Sequence, residues 1–212
     1  EPRNRHRRSP RQGGWAPRSE AEWEGGRDPL RSLAPATPAT YAPPMPPLPP
    51  LAGGSETAVL LGILDQNRDV MAWKLEGLTE EQARWSPLPS GTSLLGVTKH
   101  LAWVEYGWFQ LPFGHPVPDD ETTEVDGFGF APLATDTIES VLALYAQARA
   151  ASDRTVAELP LDTVGETDDG RVVDLRWVLA HMIEETARHA GHADTIRELL
   201  DGATGYRPPR DT

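Results

Sequence analysis

Within the segment Asp174 to Gly202, DLRWVLAHMIEETARHAGHADTIRELLDG, five residues are of types that could do chemistry together: His181, Glu185, Arg188, His189 and His192. On a helix they stand at about 0°, 40°, −20°, 80° and 20° relative to His181, so one arc carries all of them. The same arc holds Val178, Ile196 and Leu199, and hydrophobicity would turn it inward. Titratable groups in a core need a partner or a metal, because burying them bare costs on the order of several kcal/mol.

Glu185 and His189 are four residues apart, the spacing at which two side chains of one helix can chelate one ion. His100, in the separate stretch LLGVTKHLAWVEYGWFQ, would be the third ligand. Two imidazoles and a carboxylate leave coordination positions open, the arrangement of a catalytic metal site. Zn²⁺, Ni²⁺, Fe²⁺ and Mn²⁺ all accept such ligands, and affinity favours Zn²⁺ or Ni²⁺. The alternative is structural: each histidine a hydrogen-bonded core residue, and Glu185 paired with Arg188 or with solvent.

These residues must be positioned by helices. The first is expected from Glu56 to Leu75, capped by Ser55, with Val59, Leu60, Ile63, Leu64, Val70 and Met71 on its buried stripe. Gly77 ends it, and Thr79 with Gln82 forms a capping box for a short helical turn before the loop SPLPSGTS. The second long helix runs from Ser93 to Gln110. There Val97, Val104 and Gly107 stand at about 60°, 40° and −20° from His100, which predicts open space beside the imidazole.

Residues 111–135 read as a long loop containing the acidic run PDDETTE and the aromatic GFGF, with His115 exposed to solvent. The third long helix is expected from Thr137 to Leu159, with Asp136 as its cap and Glu139 at N3. The linker PLDTVGETDDGRVV leads to the fourth, its RVV either a short extended piece or irregular. That last helix spans Leu175 to Leu200, about 39 Å, and Gly202 stops it. Four amphipathic helices without a convincing strand predict an all-α four-helix bundle whose site is built from inward side chains.

The 212 residues divide by composition. Residues 1–54 hold 12 of the 21 Pro and eight Arg against five acids, and read as a disordered Arg/Pro-rich tail. A polyproline ligand in PPMPPLPP is the functional reading of that tail. With 18 Arg and two Lys the coding sequence is expected to be GC-rich, and the natural start is expected near Met45. The folded domain is expected over 55–202, with a C-terminal tail at 203–212. Taking the +3 of the first tail and the +1 of the last from a net −12 leaves −16 for the domain, which argues against nucleic-acid binding. No apolar run reaches the roughly 20 residues of a membrane span, so a cytoplasmic location is expected. With no Cys, any metal is held by N and O ligands and any thiol chemistry needs an external thiol.

The stretch LLGVTKHLAWVEYGWF, followed far downstream by LRWVLAHMIEETARHAGHADTIRELLDG, resembles the DinB-like superfamily of metal-binding four-helix bundles, in a branch of bacterial proteins from high-GC genomes. The resemblance covers residues 48–202 and includes Trp73 and Lys74. It implies a metal triad of one histidine from the second long helix and two residues four apart on the last, here His100, Glu185 and His189. The commoner residue at 185 is His; Glu there is similar to the mycothiol-dependent maleylpyruvate isomerase, a distant relative. His192 and His181 would then contact substrate or act as acid or base, and Arg188 would bind a substrate carboxylate or neutralise Glu185.

The implied activity is a metal-dependent S-transferase, with mycothiol the expected low-molecular-weight thiol. Two alternatives are a metal-dependent hydrolase and a non-catalytic, stress-linked bundle that binds a metal or small ligand. A small-molecule substrate and a homodimer are expected; DNA and membrane partners are not.

Overall fold

The computed structural model describes residues 53–118 and 130–205. The Arg/Pro-rich tail, the start expected near Met45, most of the acidic run and the end of the C-terminal tail lie outside the described residues. Four long helices and one short one make an all-α fold: α1 (Glu56–Trp73), α2 (Glu80–Arg84), α3 (Leu94–Phe109), α4 (Ile138–Glu158) and α5 (Leu175–Asp201). A 3₁₀ turn, Leu111–Phe113, follows α3.

The helix ends obey local chemistry. Ser55 accepts from the Ala58 amide, Thr79 and Gln82 make the expected capping box, Ser93 accepts from the Gly96 amide, and Asp174 accepts from the Trp177 amide. Gly202 ends α5 at a φ of 77°, which favours glycine. The cap of α4 needs a correction. Thr137, not Asp136, is the N-cap, and Ser140 stands at N3 in a capping box. Asp136 is unavailable because its carboxylate takes Lys99 Nζ at 3.0 Å and the Leu133 amide at 2.7 Å.

Of the two readings of RVV, the short extended piece is the one found, and it has a partner. β1 (Val164–Glu166) pairs antiparallel with β2 (Val172–Asp174), in register Val164 with Asp174 and Glu166 with Val172. Thr167 and Gly170 close the turn through hydrogen bonds between Thr167 N–H and Arg171 C=O and between Gly170 N–H and Thr167 C=O. The hairpin packs on the 3₁₀ turn and delivers the chain to Asp174.

α3 is the central element. It packs against α4, α5 and α2, and 14 of its 16 residues are buried, so it is apolar nearly all round and not on one stripe. Leu95, Leu101, Tyr145, Ala193 and Ile196 belong to one side of the core, and Leu64, Phe109, Val178, Leu179 and Met182 to the other.

One ion cluster crosses this core. Arg68, on the buried stripe of α1, gives Nε and Nη2 to the two Glu105 oxygens at 2.7 and 2.6 Å. Its Nη1 reaches Asp65 at 2.8 Å and Asp153 at 2.9 Å, so α1, α3 and α4 meet at one guanidinium. A planar fork suits this task because it can satisfy several carboxylates at once.

Candidate metal centre

Five of the residues singled out from sequence lie on α5, and the phase of that helix decides which of them meet α3. Its buried residues centre on Met182 and Ala193, at about 100° and 120° from His181. The inward arc read from the titratable residues is therefore corrected by roughly a quarter turn. His189 is buried, Glu185 is half-buried, and His192, Arg188 and Leu199 are exposed.

His100, Glu185 and His189 come together. One ligand atom from each lies within 4.8 Å of the others, and no second cluster of this kind occurs among the described residues. Glu185 Oε1 is 3.0 Å from His189 Nε2 and 3.5 Å from His100 Nε2. Those separations fit a divalent ion: ligands bound at about 2.0–2.2 Å in tetrahedral or octahedral geometry stand roughly 3.0–3.5 Å apart. The donor set is also chemically suitable, with two imidazoles and one anionic oxygen at the border of a buried region.

Electrostatics favours the ligand protonation states. Burial works to raise the Glu185 carboxyl, but the His189 and His100 rings outweigh it and hold it below the ordinary glutamate value. Burial, opposed by Glu185, holds the His189 imidazole below its ordinary value and so keeps it neutral. His189 Nδ1 is buried and has no partner among the described residues, so packing alone does not account for this histidine.

The open space expected beside His100 is filled. Phe130 stacks on the His100 ring with centroids 3.8 Å apart and planes 20° from parallel, and its ring is 5.5 Å from that of His189. Its backbone lies against Gly96, one turn before His100. A Cβ at Gly96 would lie within 3.0 Å of the Phe130 carbonyl oxygen and 3.1 Å from its carbon. Phe130 was missed as a site residue, although the aromatic GFGF in an otherwise polar loop was its signal.

His181 stands apart from the triad, one turn before Glu185. It stacks on Trp177 at 5.0 Å, meets Trp108 edge-on at 4.6 Å and lies 3.7 Å from Glu184 through Nδ1. His192 turns its ring toward His189, with centroids 5.6 Å apart. Arg188 is 62 % exposed and pairs with Glu184, so it neither lies on the inward arc nor neutralises Glu185. His115, expected in solvent, is half-buried with Nδ1 2.9 Å from Thr155 Oγ1, well away from the triad in sequence and in contacts.

A family model described as mycothiol-S-transferase matches residues 59–202, which include the three triad residues and Phe130. No curated protein matches the chain. Among solved structures it is similar to the conserved protein of locus from Enterococcus faecalis, at 16 % identity and a TM-score of 0.55 over 71 % of this chain and all of that one. At that identity the likeness speaks to the fold.

Proposed function

The chain belongs to the mycothiol-S-transferase family, of the DinB-like superfamily, and from that premise we propose a metal-dependent transfer of a mycothiol-type thiol to a small electrophile. The observation that carries the metal is the convergence of His100, Glu185 and His189 within 4.8 Å. These three residues would hold one divalent ion, of the Zn²⁺, Ni²⁺, Fe²⁺ or Mn²⁺ group. A divalent ion at such a site lowers the pKa of a thiol and so supplies a thiolate at neutral pH.

The chain's own residues do the rest. The thiol loses its proton, a carbon–sulfur bond forms to the electrophile, and the electron pair of the broken bond leaves with the departing group. His192, exposed beside His189, is the nearest histidine outside the triad and takes the proton from the thiol. His181 flanks the other end, where Trp108 and Trp177 fix its ring, and protonates the leaving group. Phe130 shields one side of the His100 ring from water. Arg188 is left the outer rim, where a substrate carboxylate would have to displace Glu184 to reach it.

A cavity of about 320 Å³ lies one turn along α3 from His100, between Val104, Gly107 and Trp108 and the hairpin turn from Thr167 to Arg171. We assign it to the body of a substrate. No helix among the described residues is long and apolar enough to cross a membrane. A reduced thiol substrate supports a cytoplasmic setting. The exposed Trp177, Leu111, Val164 and Val172 support a homodimer, which light scattering on the eluting protein would measure.

The test is metal content by mass spectrometry on the full chain purified without a histidine tag, beside His100→Ala, Glu185→Ala and His189→Ala. About one ion per chain, absent from all three variants, with thiol conjugation only in the metal-loaded parent, supports the proposal. A parent that takes up no ion after soaking with Zn²⁺, Ni²⁺ and Mn²⁺ sinks it. Turnover that needs no thiol would shift the reaction to hydrolysis.

A further inference from the structure

We propose that a second site, in the groove between α3, α4 and residues 115–118, binds a small carboxylate that also carries an amino or hydroxyl donor. The groove encloses about 650 Å³. Its polar lining includes Tyr106, Gln110, His115, Arg154 and Glu158, and none of α5. Tyr106 on α3 and Gln110 at its C-cap lie at about 120° and 80° around the helix from His100, so this opening is on a different side from the triad.

Arg154 is the first reason to expect an anion. Every other Arg and Lys among the described residues holds a carboxylate or a backbone carbonyl. Arg154 holds neither among those residues, although the domain carries a large excess of acids. Glu158 stands one turn away, but with Arg on the N-terminal side, the poorer orientation for a helical pair, and makes no contact with it.

His115 is the second reason. Thr155 Oγ1 accepts from Gln110 Nε2 at 3.1 Å and lies 2.9 Å from His115 Nδ1. The hydroxyl has one proton to give, and its other acceptor, the Ala151 carbonyl, is farther at 3.4 Å. With the hydroxyl proton placed on the shorter contact, to His115 Nδ1, we assign the ring proton to Nε2. That N–H has no partner among the described residues. Two buried side chains thus fix the orientation of an imidazole donor on the groove wall beside the unpaired guanidinium.

A carboxylate accepting from Arg154 and His115 Nε2–H satisfies both. Glu158 would repel a bare anion, but accepts from an amino or hydroxyl group placed beyond the carboxylate. Val117, Ala150 and Ala151 supply apolar contact for the carbon frame between the two ends.

Glycylglycine, which has both ends, is the probe. Titrated into the full chain and followed by ¹H–¹⁵N NMR, it is expected to give saturable shifts at the Gln110 side-chain amide and the His115 ring. Losing a charge-assisted contact in Arg154→Gln should weaken binding about tenfold. N-acetylglycine, which lacks the ammonium, should bind several-fold more weakly, and Glu158→Gln should remove that preference. Both substitutions are at exposed positions, so the fold is retained. Absence of saturable shifts at tens of millimolar, equal binding in Arg154→Gln, or the same response to inorganic phosphate would overturn the proposal.

Discussion

Replacing Gly96 by Ala puts a methyl group where the Phe130 backbone already lies. Ordinary contacts to a Cβ fall at 3.4 Å or beyond, whereas here the carbonyl oxygen would be inside 3.0 Å and the carbon at 3.1 Å. The neighbour is backbone, not the far end of a flexible chain, so relief requires the segment at Phe130 to move. Overpacking of this kind costs about 1–3 kcal/mol, and backbone involvement points to the upper part of that range. Mid-helix Ala in place of Gly returns roughly 0.5–1 kcal/mol. The net expectation is a loss of about 1–2 kcal/mol.

Gly191 on α5 is the control, because an added Cβ there meets nothing within 4 Å. Gly191→Ala keeps only the helical gain, and should stabilise by up to about 1 kcal/mol. Urea unfolding of the metal-free parent and both variants reads the opposite signs directly. Moving Phe130 also removes the ring stacked 3.8 Å from His100. Gly96→Ala should therefore weaken metal binding several-fold while Gly191→Ala leaves it unchanged. Two variants stabilised alike, with equal metal affinity, would refute the idea that Gly96 seats Phe130 over the centre.

The Arg68–Glu105 pair should be strongly non-additive. Arg68→Met leaves a fully buried carboxylate and should cost about 3–5 kcal/mol, and Glu105→Gln should fall near about 3 because Asp65 and Asp153 still hold the guanidinium. The double variant Arg68→Met with Glu105→Leu should unfold at a higher urea concentration than Arg68→Met alone, and an equal or lower midpoint would contradict a desolvated pair. Glu76 supplies a pH test. Burial, opposed by Arg197, raises its carboxyl above 4.5, and Oε2 has no partner among the described residues. A raised folded-state value gives stability that is complete below pH 4.5 and lost as pH rises through the folded value. Glu76→Gln should thus raise Tm at pH 7, with the gain closing below pH 4.5; a gain independent of pH would refute the assignment.

What could be read from the sequence was whatever local chemistry decides. Ser55, Thr79 with Gln82, Asp174 and Gly202 cap their helices as their types demand, and four apolar periodicities made the four long helices. Long-range competition decided the rest. Asp136 is as good a cap as Thr137 until Lys99, from another helix, claims its carboxylate. RVV left an extended piece open, but three-residue strands carry too little alternation to reveal the hairpin. Glu105 stands alone in the apolar LAWVEYGWF, and Arg68 continues the stripe of Leu64 and Met71, but only packing makes them partners.

The triad itself was legible because i, i+4 spacing survives any rotation of α5, whereas the phase of that helix was not. Reading the inward arc from the titratable residues pulled it toward solvent, since Arg188 and His192 are exposed and only His189 is buried. Along the seam His189 is buried, Glu185 half-buried and His192 exposed, a gradient across one side of α5. Met182 and Ala193 mark where the core truly centres. The proposed function, an ion held beside an entering thiol, suits that gradient. There burial holds the His189 imidazole below its ordinary value, and the next histidine outward, His192, is exposed.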